Sequence, residues 1–193
     1  FYHIHHIEKL KEFSEDFKDF DVICTIRDPL NNICSGLEHH KAYNPNSFNS
    51  SHVYFIHSRV FYESEPILNY TKSAFTLKLE DLHLFSEDVL CQFCTKYDLG
   101  FEDSLLVSSY HGKQWWGDRL SGKFLDGFNP NIRNPRWLGK LFFYERIVFE
   151  YLLQKRLNQY GYLKSYSLTK FYLFPLIIIF IALPLKYEIK ALF

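Results

Sequence analysis

Residues 21–36, DVICTIRDPLNNICSG, read as a buried strand, a sharp turn and the start of a helix. Val22, Ile23, Cys24, Thr25 and Ile26 form a short apolar run rich in β-branched residues, the mark of an interior strand. Asp28 is placed to cap the next helix. Pro29 suits that helix's first position, where an N–H has no intrahelical partner to lose. Arg27 therefore falls where the carboxyl end of a strand meets a helix N-terminus. Open α/β sheets bind ligands at that edge, and the helix end favours anions. The structural alternative is an arginine paired with a carboxylate at a sheet edge.

The 193 residues suffice for one domain with a real core. Basic and acidic side chains balance at 22 each, so nothing draws the chain as a whole to nucleic acid, and a basic site must be local. Four cysteines in this length do not make a disulfide framework. Cys91 and Cys94 form a lone CxxC in a helical segment with no second pair. They read as buried small hydrophobes rather than as a redox or zinc site. The chain opens at Phe1, in what reads as the middle of a strand, and shows no signal peptide; an N-terminal truncation is the expectation.

Working outward from the central stretch, FYHIHHI at residues 1–7 alternates apolar residues with histidines and predicts a strand with a polar tip. Residues 7–17 predict a helix with Ile7, Leu10, Phe13 and Phe17 on one face. A right-handed crossover would then set the strand at 1–7 parallel to the strand at 21–26. On the far side, the helix from Pro29 runs to about Tyr43 with Ile33 and Leu37 inward, and residues 44–51 form a loop. A helix over 51–70 follows, then a strand AFTLKL at 74–79 ended by Glu80 and Asp81, then a helix to Tyr97 that Ser86 would cap. Residues 100–135 are rich in Gly, Asn, Pro and Trp and predict an ordered irregular loop, with Lys113, Arg119 and Lys123 as cations for an anion or for solvent. Residues 136–160 predict one long helix with Leu138, Leu141, Phe142, Ile147, Tyr151 and Leu152 as its apolar stripe.

The tail is distinct. From Phe171 to Leu185 the sequence FYLFPLIIIFIALPL carries no charge, with Lys164 and Lys170 before it and Lys186 and Lys190 after. It is shorter than the ~20 residues of a spanning helix and is broken by Pro175 and Pro184. An interfacial or re-entrant segment at a membrane surface is the preferred reading, and a helix docked on the core is the alternative.

Arg27-Asp28-Pro29 followed by Ser35, eight positions after the arginine, resembles the sulfotransferase family, whose members move a sulfuryl group from PAPS (3′-phosphoadenosine 5′-phosphosulfate) to a hydroxyl or amine. In that family a hydrophobic strand ends in Arg-Asp-Pro or Arg-Asn-Pro, and the arginine and the serine hold the cofactor's 3′-phosphate; the resemblance puts Arg27 and Ser35 in those roles. Guanidinium and hydroxyl donors suit phosphate oxygens. The resemblance also makes His5 the general base, at the family's distance before the arginine, with His6 one step off and a glutamate in some relatives. A shared metal or a purely structural role remain alternatives for these histidines. Leu77-Lys78-Leu79-Glu80-Asp81-Leu82 is similar to the family's Tyr-Glu-Asp-Leu strand, with Leu79 where the tyrosine stands. Lys113 with Trp115-Trp116-Gly117-Asp118 is similar to its late loop over the nucleotide and implies a phosphate contact from Lys113.

The family's first motif, a P-loop-like cradle for the 5′-phosphosulfate, has no match here, and by resemblance it lies before Phe1. The implied fold is α/β: a P-loop-type three-layer sandwich with a central parallel sheet, incomplete at the N-terminus, with a hydrophobic C-terminal helical tail. It implies a partial sulfotransferase-like domain over 1–162 and a tail over 163–193. The expected co-substrate is PAPS with no metal, and the expected acceptor is a small molecule, carbohydrate or lipid, not nucleic acid. The expected location is cytoplasmic, with membrane association through the tail. These 193 residues alone are expected to be inactive. A kinase-like phosphate binder of the same fold and a non-catalytic membrane-associated scaffold are the competing readings.

Overall fold

The structure is a computed structural model, and it describes residues 7–43, 56–58, 60, 74–107, 109–111, 113–114, 127–162, 174–186 and 188–189. The fold is mixed helix and strand. The chain divides into two compact units. One comprises Phe1–Phe20, Asp28–Lys72 and Pro135–Phe193; the other comprises Asp21–Arg27 and Ser73–Asn134.

The second unit is built on a parallel pair of strands, β1 (Val22–Ile26) and β2 (Ala74–Lys78), in register from Val22 opposite Ala74 to Ile26 opposite Lys78. Cys24 and Ile26 are buried, whereas Ile23 and Thr25 are exposed. The apolar run thus alternates between a covered and an open face instead of being interior on both, as a sheet packed on one side demands. β2 ends one residue earlier than its pattern suggests. Leu79 opens α3 (Leu79–Leu84), so Glu80 and Asp81 occupy the first turn of a helix, where carboxylates meet the positive end of the dipole. Phe85, not Ser86, is the N-cap of α4 (Ser86–Lys96). Phe75 of β2 meets Phe93 of α4 edge-on at 5.4 Å between centroids, and Phe93 packs on Tyr97 at 4.9 Å. Short strands β3 (Ser109–Tyr110) and β4 (Lys113–Gln114), paired antiparallel, and single turns of 3-10 helix at Asp103–Leu106 and Pro130–Arg133 lie in the described part of the stretch expected to be irregular, whose Trp115, Trp116, Arg119 and Lys123 fall outside the described residues.

The first unit is helical. α1 (Ile7–Asp16) buries Leu10 and stacks Phe13 on Phe17 at 4.4 Å. In α2 (Pro29–Tyr43) the cap forms as expected, with Asp28 Oδ1 accepting from the Leu30 N–H at 2.9 Å and Pro29 at the first position. Leu30 and Ile33 of α2 join Ile56, Phe149, Leu153, Leu157 and Leu185 in one buried cluster, with Leu37 packed against it.

The expected long helix over 136–160 is instead a run of turns followed by two helices, α5 (Phe143–Leu152) and α6 (Gln154–Gln159). Gly139 at φ 75° breaks the first part, a conformation glycine adopts without steric cost. The break shifts the helical phase. Leu138, Phe142 and Leu152 are exposed, and the buried stripe is Val148, Phe149, Leu153 and Leu157. α6 ends on Gly161 at φ 69°, where the Tyr162 N–H bonds the Leu157 carbonyl at 2.8 Å. The tail forms α7 (Phe174–Ala182), which packs against α5, and Leu185 beyond it enters the core. Among the described residues no helix is long and apolar enough to cross a membrane. The strand expected at 1–7 lies outside the described residues apart from Ile7, which opens α1.

Candidate functional site

In the second unit, Arg27 directly follows Ile26 and so sits, half-buried, at the carboxyl end of β1. The neighbouring strand passes straight into α3, whose first turn carries the buried Glu80 and whose last carries His83. Burial, and next the positive charge of Arg27, lower the His83 pKa below the ordinary histidine value, while Glu80 opposes them. His83 Nδ1 accepts the Asn129 backbone N–H at 2.9 Å, which leaves Nε2 to carry the proton of the neutral ring. Phe128 stands edge-on to the imidazole at 5.7 Å, and Arg133 Nη2 lies 4.0 Å from Asp81 Oδ1. The parallel strands thus deliver a guanidinium, a carboxylate and a neutral imidazole to one sheet edge. The guanidinium and the Nε2–H of the neutral ring are donors that an anion could use there.

In the first unit, α2 presents Asn31, Ser35 and Glu38 at i, i+4 and i+7, one face of a helix. The segment at 136–140 lies on that face. The buried Asn31 Oδ1 accepts the Arg136 backbone N–H at 2.7 Å, and Arg136 Nη1 lies 3.5 Å from Ser35 Oγ. The Glu38 carboxylate holds both cations, with Arg136 Nη1 at 3.7 Å and Lys140 Nζ on its other oxygen. Ser35 therefore has a guanidinium beside it, and an anion arriving there would meet a hydroxyl and Arg136 together, in competition with Glu38. Beneath this face, burial drives the Cys34 thiol up to about 12, so it is a packing group and not a nucleophile.

Arg27 and Ser35 fall in different units, each with its own partners. Lys113 opens β4 and is exposed. His5 and His6 lie outside the described residues. Among the described residues no group of three metal-ligating side chains sits where it could hold an ion. Two residues emerge that sequence reasoning passed over. His83 had a usable signal, lying two positions beyond the Glu80-Asp81 pair that marks a strand's carboxyl end. Arg136 had none, because its partner Ser35 is 101 positions away. No family model, curated protein or solved structure matches this chain.

Proposed function

We propose that this chain belongs to a PAPS-using sulfotransferase, with a P-loop-type α/β sandwich as its complete fold. The resemblance assigns Arg27 and Ser35 to the cofactor's 3′-phosphate, and within the first unit Arg136 stands beside Ser35. The observation that carries the reading is the local geometry after β1: a strand ending at an arginine, an aspartate capping the next helix, a proline at its first position, and a serine two turns on. The donor set fits a phosphate. Arginine gives a permanent fork of N–H groups, and the Ser35 hydroxyl adds one donor beside Arg136. His5 would take the proton of the acceptor hydroxyl as it attacks sulfur, and Lys113 would add a weaker phosphate contact. The acceptor is a small molecule, a carbohydrate or a lipid, and the enzyme would work on the cytoplasmic side at a membrane surface.

Isothermal titration tests the reading. Adenosine 3′,5′-bisphosphate should bind more tightly than ATP, and Arg27→Ala should weaken the bisphosphate at least about tenfold, since a charge-assisted phosphate contact contributes about 1.5–3 kcal/mol. Equal affinity for the two nucleotides, or an unchanged constant in Arg27→Ala, overturns it.

A further inference from the structure

The tail of the first unit leaves an apolar surface beside a firmly anchored end. In α7, Ile178, Ile179 and Ile181 are 54 %, 55 % and 48 % exposed, and Leu183 just beyond is 41 % exposed. At 100° per residue the three isoleucines cover roughly 160° of the helix circumference. Below them the chain is tied down. Tyr144 Oη donates to the Pro184 carbonyl at 2.7 Å, the buried Glu145 accepts the Lys186 backbone N–H, and Leu185 enters the core. Lys186 Nζ lies 5.1 Å from the centre of the Phe142 ring, and Phe142 and Phe143 are themselves exposed.

We propose that this face is a monotopic membrane anchor: α7 lies flat in the headgroup–acyl boundary of an anionic bilayer, its isoleucines among the acyl chains and Lys186 at the lipid phosphates, in a segment whose charges are all basic. Charge selects that occupant. From Gly161 to Tyr187 the sequence holds Lys164, Lys170 and Lys186 and no acidic residue. The next carboxylate, Glu188, is engaged by the Leu185 N–H at 2.6 Å and by His57 Nε2 at 2.7 Å. A second copy of the chain is a poorer occupant, because a two-fold contact would set the same lysines against each other. Length selects the orientation: the nine described residues of α7 span about 13.5 Å, and even the whole uncharged run 171–185 would reach only about 22.5 Å as a helix, short of the ~30 Å hydrocarbon core. Large exposed apolar faces with basic flanks bind such interfaces through buried area and electrostatic attraction together. The inference does not rest on the nucleotide site.

Vesicle flotation tests it. The protein should float with phosphatidylcholine vesicles containing phosphatidylserine, bind less to phosphatidylcholine alone, and come off as salt is raised. The triple variant Ile178→Ser/Ile179→Ser/Ile181→Ser, with its unfolding midpoint checked, should bind at least about tenfold more weakly. Ile179→Trp serves as an independent probe: relative to the parent protein, its added emission should shift to the blue on anionic vesicles and be quenched by lipids brominated near the headgroup. Unchanged binding by the triple variant, no vesicle binding by the parent, no blue shift in the added emission of Ile179→Trp, or a concentration-dependent dimer abolished by the same serines would each overturn the proposal.

Discussion

Replacing Glu145 tests the joint between the tail and the helical core. Its side chain is fully buried in the first turn of α5. One carboxylate oxygen accepts the Phe142 N–H at 2.6 Å, which caps α5, and the other accepts the Lys186 N–H from the tail. A hydrogen bond to a charged group contributes about 1.5–3 kcal/mol, so Glu145→Ala removes two such bonds and leaves two backbone donors short of a partner. The Phe142 end is open enough for water to replace part of the loss, so the net cost is about 3–5 kcal/mol, a large share of the 5–15 kcal/mol typical of a folded domain. Glu145→Gln keeps the volume and one acceptor but turns an NH2 toward the other donor, for a loss of about 2–3 kcal/mol. Urea unfolding followed by circular dichroism measures both, with the slope unchanged. Trypsin should also cut after Lys186 sooner in each variant, because the link from α7 to the core is freed. A loss below about 1 kcal/mol in Glu145→Ala, or cleavage at the parent rate, would refute the assignment of Glu145 as the shared anchor.

The Cys34 thiol, raised by burial to about 12, should resist maleimide at neutral pH and react only as fast as the protein unfolds; rapid labelling of the native state contradicts this. Because its folded value lies above the unfolded one, its contribution to stability is complete below about pH 9 and is lost as pH rises from there toward 12. Cys34→Ala should therefore flatten alkaline unfolding in that window. His83 is shifted the other way. Its contribution is present above the ordinary histidine range and disappears as pH falls through the lowered folded value, so NMR should find it titrating below 6.5, with the Asn129 amide losing exchange protection on the same curve. Replacing Arg27 with Ala should raise the His83 titration toward its ordinary value, and an unmoved curve would contradict their coupling.

Local chemistry made the central stretch legible. A β-branched run, an aspartate, a proline and an apolar i, i+3 spacing specify a strand, a cap and a helix start within 16 residues, and β1, the Asp28 cap and α2 form accordingly. The same reasoning misplaced the helix at 136–160. Its apolar residues fit a helical period well enough, and only Gly139 in a left-handed turn reveals that the phase restarts at Phe143. Apolar content likewise marked the tail as unusual without showing which part of it enters the core and which stays outside.

The sequence by itself determined the short-range features: which run becomes a strand, where an arginine meets a helix N-terminus, and that a charge-free segment follows position 170. The tertiary structure decided everything that joins distant positions. Arg136 reaches Ser35 across 101 residues, Asn129 reaches His83 across 46, and Lys186 reaches Glu145 across 41. No periodicity encodes such pairings, because each polar group accepts whichever donor the packing brings to it once the apolar faces have closed.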